Sequence, residues 1–281
     1  MRPATSARAR TAITSTDAGA GPRPPAQDVL DRLRDGELEV LGRLIGSSNN
    51  AMVVRVRPPG SPPAPAGRDS SVRPIEDDDL LAVWKPTAGE RPLFDFPIGT
   101  LTRREVAAYL VSEAAGWGIV PPTALRQGPF GEGMVQEWID VDPDADVIAM
   151  VNDDDPRLRR IALFDAVLNN TDRKAGHLLP IPGGHVHAVD HGVTFSAEPK
   201  LRTVLWAWEG EPFDAEERAA LTRVAEALGK GAIPGPLAVA LADLLALDEI
   251  AATRARVADL LGTGVFPGPN PDWPAIPWPP Y

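Results

Sequence analysis

The hydrophobic rhythm of this chain changes near residue 140, and that change limits what it can fold into. Before it, apolar residues come in short runs bounded by turn residues. "ELEVLGRLIGSSNNAMVVRVRP" (37–58) predicts two strands around the turn "GSSNN". "LLAVWKP" (80–86) predicts a third strand, stopped by Pro86, which lacks an N–H for the ladder. "GMVQEWID" (133–140) predicts a fourth. After residue 140 the apolar spacing is mainly helical, in "DPRLRRIALFDAVLNN", "DAEERAALTRVAEALGK" and "GPLAVALADLLALDEIAATRARVADLLG". Two helices precede the change. One is "DVLDRLRD" (28–35). The other is "TRREVAAYLVSEAAGWG" (102–118), with Thr102 and Glu105 at capping-box spacing and Gly116 or Gly118 as its stop. One hairpin follows the change, "HLLPI" and "HVHAVD" joined at Gly183-Gly184. The expected class is α+β, a β-rich lobe over 28–140 followed by a helical lobe over 141–262.

Three segments fit neither pattern. Residues 1–27 are rich in Ala, Thr, Pro and Gly and read as a disordered tail. Residues 58–79 read as a flexible insertion whose "IEDDD" end is a solvated charge run. Residues 263–281, rich in Pro and Trp, cannot form a regular helix and are expected either to fold back on the helical lobe or to bind a protein partner. There is no internal repeat.

Composition removes several function classes. A net charge of −11 argues against non-specific binding to nucleic acid or to anionic lipid. With no cysteine, disulfides and thiolate metal sites are excluded, and a cytoplasmic location is compatible. The start has arginines but no apolar core of a secretory signal. No run approaches the roughly 18 apolar residues of a membrane span, so no integral membrane association is expected.

The polar residues that remain point to one chemistry. "VLNNTDRKAGHLLP" (167–180) places Asp172 in a polar loop after an apolar helix, and "HVHAVDHGVTF" (185–195) places Asp190 at a strand end before His191-Gly192. Lys85 ends a strand that reads as buried, and Glu105 lies 20 residues on, near a helix start. A lysine–glutamate pair, a loop aspartate and a strand-end aspartate, in this order, are the parts of a phosphotransfer site. The lysine holds phosphates, one aspartate orients or deprotonates the acceptor hydroxyl, and the other holds Mg²⁺. Fixed charges suffice for such a reaction.

With "AVWKP", "REVAAYLVSEAAGWGIVPPT", "GMVQEWI", "NNTDRKAGHLL" and "AVDHGVTF" in this order, the chain resembles the phosphatidylinositol 3-/4-kinase-like superfamily over roughly residues 36–215. It looks nearest to the bacterial and type II phosphatidylinositol 4-kinase-like branch. The resemblance implies a two-lobed protein-kinase-like fold that uses ATP with Mg²⁺ or Mn²⁺. It implies that Lys85 binds ATP with Glu105 as its partner, and that Gln136, Glu137 and Trp138 form the hinge that bonds adenine through backbone. Ser47 and Ser48 fall in the phosphate-covering turn. Asp172 is the catalytic-loop aspartate, with Arg173 beside it either catalytic or paired structurally with a carboxylate. Asp190 is the metal aspartate. His177 stands where the family usually carries an asparagine as second metal ligand, which makes it a softer ligand favouring Mn²⁺, a bystander, or a sign of degraded activity. After Asp190 only Lys200 and Arg202 are basic before residue 215, which weakens a phosphoinositide acceptor, so a protein hydroxyl or a small metabolite stands at least level with a lipid. The acceptor itself is not legible.

Two rival readings stand beside this one. A non-catalytic nucleotide-binding pseudokinase would explain His177. A metal-dependent hydrolase would use the four histidines, all between 177 and 191, with His185 and His187 on one strand face at a spacing that can chelate Zn²⁺. The plainer expectation is that His185 and His187 face solvent, and that Trp206 and Trp208 pack in a core.

Overall fold

The computed structural model describes residues 26–44, 50–61, 79–231 and 233–281. Most of the expected N-terminal tail and most of the 58–79 insertion lie outside the described residues. So do Ser47 and Ser48. The chain is α+β and divides into two compact units, one built from residues 1–91 and 122–138, the other from 92–121 and 139–281.

The first unit is a helix and an antiparallel sheet. Helix α1 (Ala26–Asp35) buries Val29, Leu30 and Leu33. Strands β1 (Glu37–Arg43), β2 (Met52–Arg57), β3 (Leu80–Pro86), β4 (Thr123–Gly128) and β5 (Gly131–Glu137) form one sheet in the order β1-β2-β3-β5-β4. β2 is buried at every position. Its two arginines survive there because Glu39 lies 3.4 Å from Arg55 and 3.8 Å from Arg57, with Asp79 3.2 Å from Arg55. A buried charge needs such partners. In β3 burial alternates, and Trp84 is fully enclosed. A Cβ at Gly128 or Gly133 would sit 2.6 or 2.9 Å from its indole, so glycine at these positions on β4 and β5 is what lets the ring lie across them. β4 was not foreseen. Its Arg126, Gln127 and Gly128 give an edge strand little apolar signal.

The second unit is mainly helical: α2 (Leu101–Ala115), α3 (Val147–Asn152), α4 (Arg159–Leu168), α5 (Ala215–Leu228), α6 (Pro236–Leu241) and α7 (Leu247–Thr263). A hairpin of β6 (Leu178–Pro180) and β7 (Val186–Ala188) completes it. α2 groups with this unit, although its sequence lies among the strands. Arg104 explains why: it is buried, donates to Glu249 of α7 at 2.6 Å and to the Thr194 carbonyl at 2.7 Å, and lies over the Phe96 ring. The expected capping box does not form. Thr102 lies inside the helix, which starts one residue earlier with Thr100 as N-cap, and Glu105 is used elsewhere. Gly116 ends α2 with φ 71°, as expected. The single long helix expected after residue 235 is two, α6 and α7, with Glu249 accepting from Ala246 N–H at the restart. Residues 264–281 fold back on this unit. Phe266 packs on Phe213 and Trp208, and the Ala275 carbonyl accepts from Thr203 N–H and Trp206 Nε1, each at 3.0 Å. Among the described residues, no helix is long and apolar enough to cross a membrane.

Candidate active site

In the second unit, α4 ends on Asn169, whose left-handed backbone (φ 52°) turns the chain sharply. Asparagine tolerates that conformation better than most residues. Its amide also ties the loop down, donating to the carbonyls of Ser196 (2.9 Å) and Glu198 (2.6 Å) and accepting from Lys200 N–H (2.8 Å). Asn170 donates to Asp165 at 2.8 Å and accepts from Asp172 N–H at 3.0 Å. The two asparagines therefore shape the loop that presents Asp172.

Arg173 does not reach that surface. Its guanidinium is fully buried and grips Asp165 on α4 with three contacts of 2.8 to 3.1 Å, while Thr203 donates to the same carboxylate. A fork-to-fork pair of this kind is strong and directional. Its other arm donates to the Val189 carbonyl at 2.9 Å, and Nη2 lies 2.7 Å from His191 Nε2. A catalytic role for Arg173 is thereby corrected: it positions the loops through their backbone. Arg173 follows Asp172 in the chain, and its guanidinium holds the carbonyl of Val189, the residue before Asp190.

Asp172 is partly exposed, with Lys174 Nζ at 3.1 Å and Arg202 Nη2 at 3.7 Å from its carboxylate. Arg202 also donates to the Thr171 carbonyl at 2.6 Å. Asp190 has φ 65°, an uncommon conformation for any residue but glycine, and its side chain is 43% exposed. The ring of His177 lies beside it, Nε2 to Oδ2 at 3.4 Å. Burial pushes the His177 pKa below its ordinary value, against the pull of Asp190. Glu105 accepts from His191 N–H at 2.8 Å, which fixes the residue after Asp190. The structure thus brings Asp172, Arg173, His177, Asp190 and Glu105 into one connected region of the second unit.

The remaining expected residues belong to the first unit. Lys85 sits on β3 opposite Met134 and shares the half-buried face with Leu81 and Val83. Gln136 is buried and donates its side-chain amide to Thr123 at 2.8 Å. The hinge reading needs a correction here. Glu137 N–H already donates to the Pro122 carbonyl and Trp138 N–H to the Leu81 carbonyl, both at 2.9 Å. Those two amides are already engaged as donors within this unit, so they are not open to an adenine acceptor atom.

The histidine-cluster alternative does not assemble. Among the described residues there is no group of three or more His, Cys, Asp or Glu placed to hold a metal ion. His185 Nε2 faces the Gly118 carbonyl and His187 Nδ1 the Ile119 carbonyl, so those nitrogens act as donors. His187 is buried, contrary to expectation, and His191 is buried against Phe164.

Fold and loops together define an α+β chain in which an antiparallel-sheet unit accompanies a helical unit that carries two acidic loops joined by one buried network. The chain belongs to the family of Protein Rv2133c from Mycobacterium tuberculosis, with which it is 41% identical over 282 residues, covering 88% of this chain and 93% of the relative. No family model matches it. Among solved structures it is similar to the Helicobacter pylori proinflammatory kinase CtkA, with a TM-score of 0.44 and 10% identity over 83% of this chain and 94% of that one.

Proposed function

We propose that this protein is an ATP-dependent phosphotransferase of the kinase-like type, using Mg²⁺ or Mn²⁺. One observation carries the reading: the buried Arg173–Asp165 pair ties together the backbone beside Asp172 and the backbone beside Asp190. Two carboxylates on separate loops, both reachable by solvent and braced from beneath by one network, suit a reaction in which fixed charge does the work. Asp172 accepts the proton of the acceptor hydroxyl as its oxygen bonds to the γ-phosphorus, the bond to the bridging oxygen breaks, and ADP leaves. Asp190 holds the divalent ion, which when bound neutralises phosphate charge. Lys85 and Glu105 keep the phosphate-holding roles that the sequence implies, and Ser47 and Ser48 remain candidates for the turn over the phosphates.

The acceptor is an alcohol without an inositol-phosphate headgroup. Lys200 is held by Asp95 (3.3 Å) and Glu198 (3.1 Å), and Arg202 by the Thr171 carbonyl and Asp172. The two cations that would grip such a headgroup are both engaged, which favours a protein hydroxyl or a small metabolite. A cytoplasmic location fits this reading.

Calorimetry with ATP tests the site without knowledge of the acceptor. Wild type is expected to bind in Mg²⁺ or Mn²⁺ and not in EDTA, and Asp190→Asn to lose the metal-dependent part. Asp172→Ala should bind ATP as wild type does yet lose phosphoryl transfer. Metal-independent or absent binding by wild type would sink the proposal. Binding with no transfer to any hydroxyl would leave the pseudokinase reading in its place.

A further inference from the structure

His177 has one ring nitrogen assigned by backbone. It ends a single 3₁₀ turn, Ala175–His177, and its ring folds back over the N-terminus of that turn. There Nδ1 accepts the Lys174 N–H at 3.4 Å. The turn is itself held, since His177 N–H donates to the Lys174 carbonyl at 3.1 Å and Val189 N–H donates to the His177 carbonyl at 3.0 Å. A ring nitrogen that accepts an N–H is bare, so the proton of the imidazole lies on the other one. With Nδ1 occupied as an acceptor, that proton is on Nε2, the nitrogen that faces Asp190 Oδ2 at 3.4 Å.

We infer that His177 is a positioning residue that presents Nε2–H toward the Asp190 carboxylate 3.4 Å away, and that it is not a metal ligand. This rests on the proposed function only for the identity of the ion; the proton assignment stands without it. Coordination through Nε2 would require moving the proton to Nδ1, where it would meet the Lys174 N–H and leave that donor unsatisfied. An unmade bond of this kind is costly. The arrangement also explains why the softer side chain does not force a softer metal. The ion meets carboxylate oxygen, and the imidazole acts one bond further out, as partners of metal-binding carboxylates commonly do.

Nitrogen-15 NMR of the histidine-labelled full chain tests this directly. Four signals are expected, and the one missing in His177→Gln is His177. It should show a protonated Nε2 and a bare Nδ1 near pH 7.5, and keep that pattern when Mg²⁺ and ADP are added. A protonated Nδ1, or a switch to it on adding metal, overturns the inference. Calorimetry gives a second reading. Gln can supply an N–H where Nε2–H was, so His177→Gln should bind Mg·ATP and Mn·ATP within about twofold of wild type. His177→Leu should weaken both by a common factor of about 10. A loss in His177→Leu that falls on Mn²⁺ alone would mark a direct ligand and overturn it. If wild type binds no ATP, the phosphotransfer reading fails, while the tautomer still decides the role of His177.

Discussion

The loop that carries Asp172 and the loop that carries Asp190 are held in different ways. Residues 169–177 leave a helix and need anchoring to the rest of the unit. Side chains meet that need: Asn169 makes three hydrogen bonds to the 196–200 segment, Asn170 two within its own neighbourhood, and Arg173 is locked on Asp165. Residues 189–196 leave a short strand and are held through the backbone. Asp190 and Phe195 both have φ 65°, Phe195 N–H donates to the Leu168 carbonyl at 2.7 Å, and Glu105 takes His191 N–H. Phenylalanine has no side-chain bond to offset a left-handed backbone, so burial of its ring must hold it there. The first loop is fixed mainly by its own polar side chains, the second by groups that grip its backbone. The loop assigned to the metal has two left-handed non-glycine residues against one, Asn169, in the other.

The largest test of that contrast removes the shared anchor. Asp165→Ala leaves Arg173 buried without its carboxylate, and losing one partner of a buried pair costs about 3–5 kcal/mol. Chemical denaturation should show a fall of that size. A loss under about 1 kcal/mol would mean the first loop is not held by this pair. Replacing both partners, Asp165→Leu with Arg173→Met, should recover much of the loss, since apolar substitutes of similar volume are commonly tolerated. Asp172 and Asp190 would then lose their common brace, and ATP binding should weaken although the fold survives.

The periodicity change near residue 140 made the strand-rich and helix-rich regions legible, and the ends of β3, α2 and β5 fell within a few residues of where spacing put them. Asp172 and Asp190 were legible because aspartate after an apolar run, followed by polar residues or His-Gly, is unusual. The anchor was not. Asp165 reads in sequence as one polar residue on a helix face, and only folding brings it against Arg173 eight positions on and Thr203 further still. The break between α6 and α7 was hidden for a similar reason. "ADLLALDEI" has helical composition, and it is the demand of buried Arg104 for Glu249 that sets where the last helix begins. Glu105 was singled out by position, yet its capping role depended on the helix starting at Thr102, and it starts one residue earlier. Gln136 and Glu137 were placed on a strand correctly and Trp138 falls just past its end, but sequence does not show which amides the neighbouring segments consume.

A smaller effect is expected at the tip of the first loop. Asn169→Ala keeps the chain's length but removes three hydrogen bonds and puts alanine in a left-handed conformation. Together these should cost about 2–3 kcal/mol. Asn169→Gly relieves the backbone and loses only the side-chain bonds, so it should cost less than alanine does. The reverse order in thermal denaturation would show that backbone conformation is not what Asn169 contributes.

The smallest effect falls on the second loop and separates strain from function. Asp190→Gly removes the left-handed penalty, of order 1 kcal/mol or more, and adds back unfolded-chain entropy of about 0.5–1 kcal/mol. It also removes the contact with His177. Stability should therefore stay level or rise by no more than about 1 kcal/mol, while metal-dependent ATP binding disappears. Asp190→Asn tolerates the same backbone and should match wild-type stability with the same loss of metal. A residue whose deletion leaves the fold intact but empties the site is kept for the site. If Asp190→Gly instead destabilises the chain by more than about 2 kcal/mol, Asp190 is a structural member of the network. The two loops would then be held alike, and the difference between them would vanish.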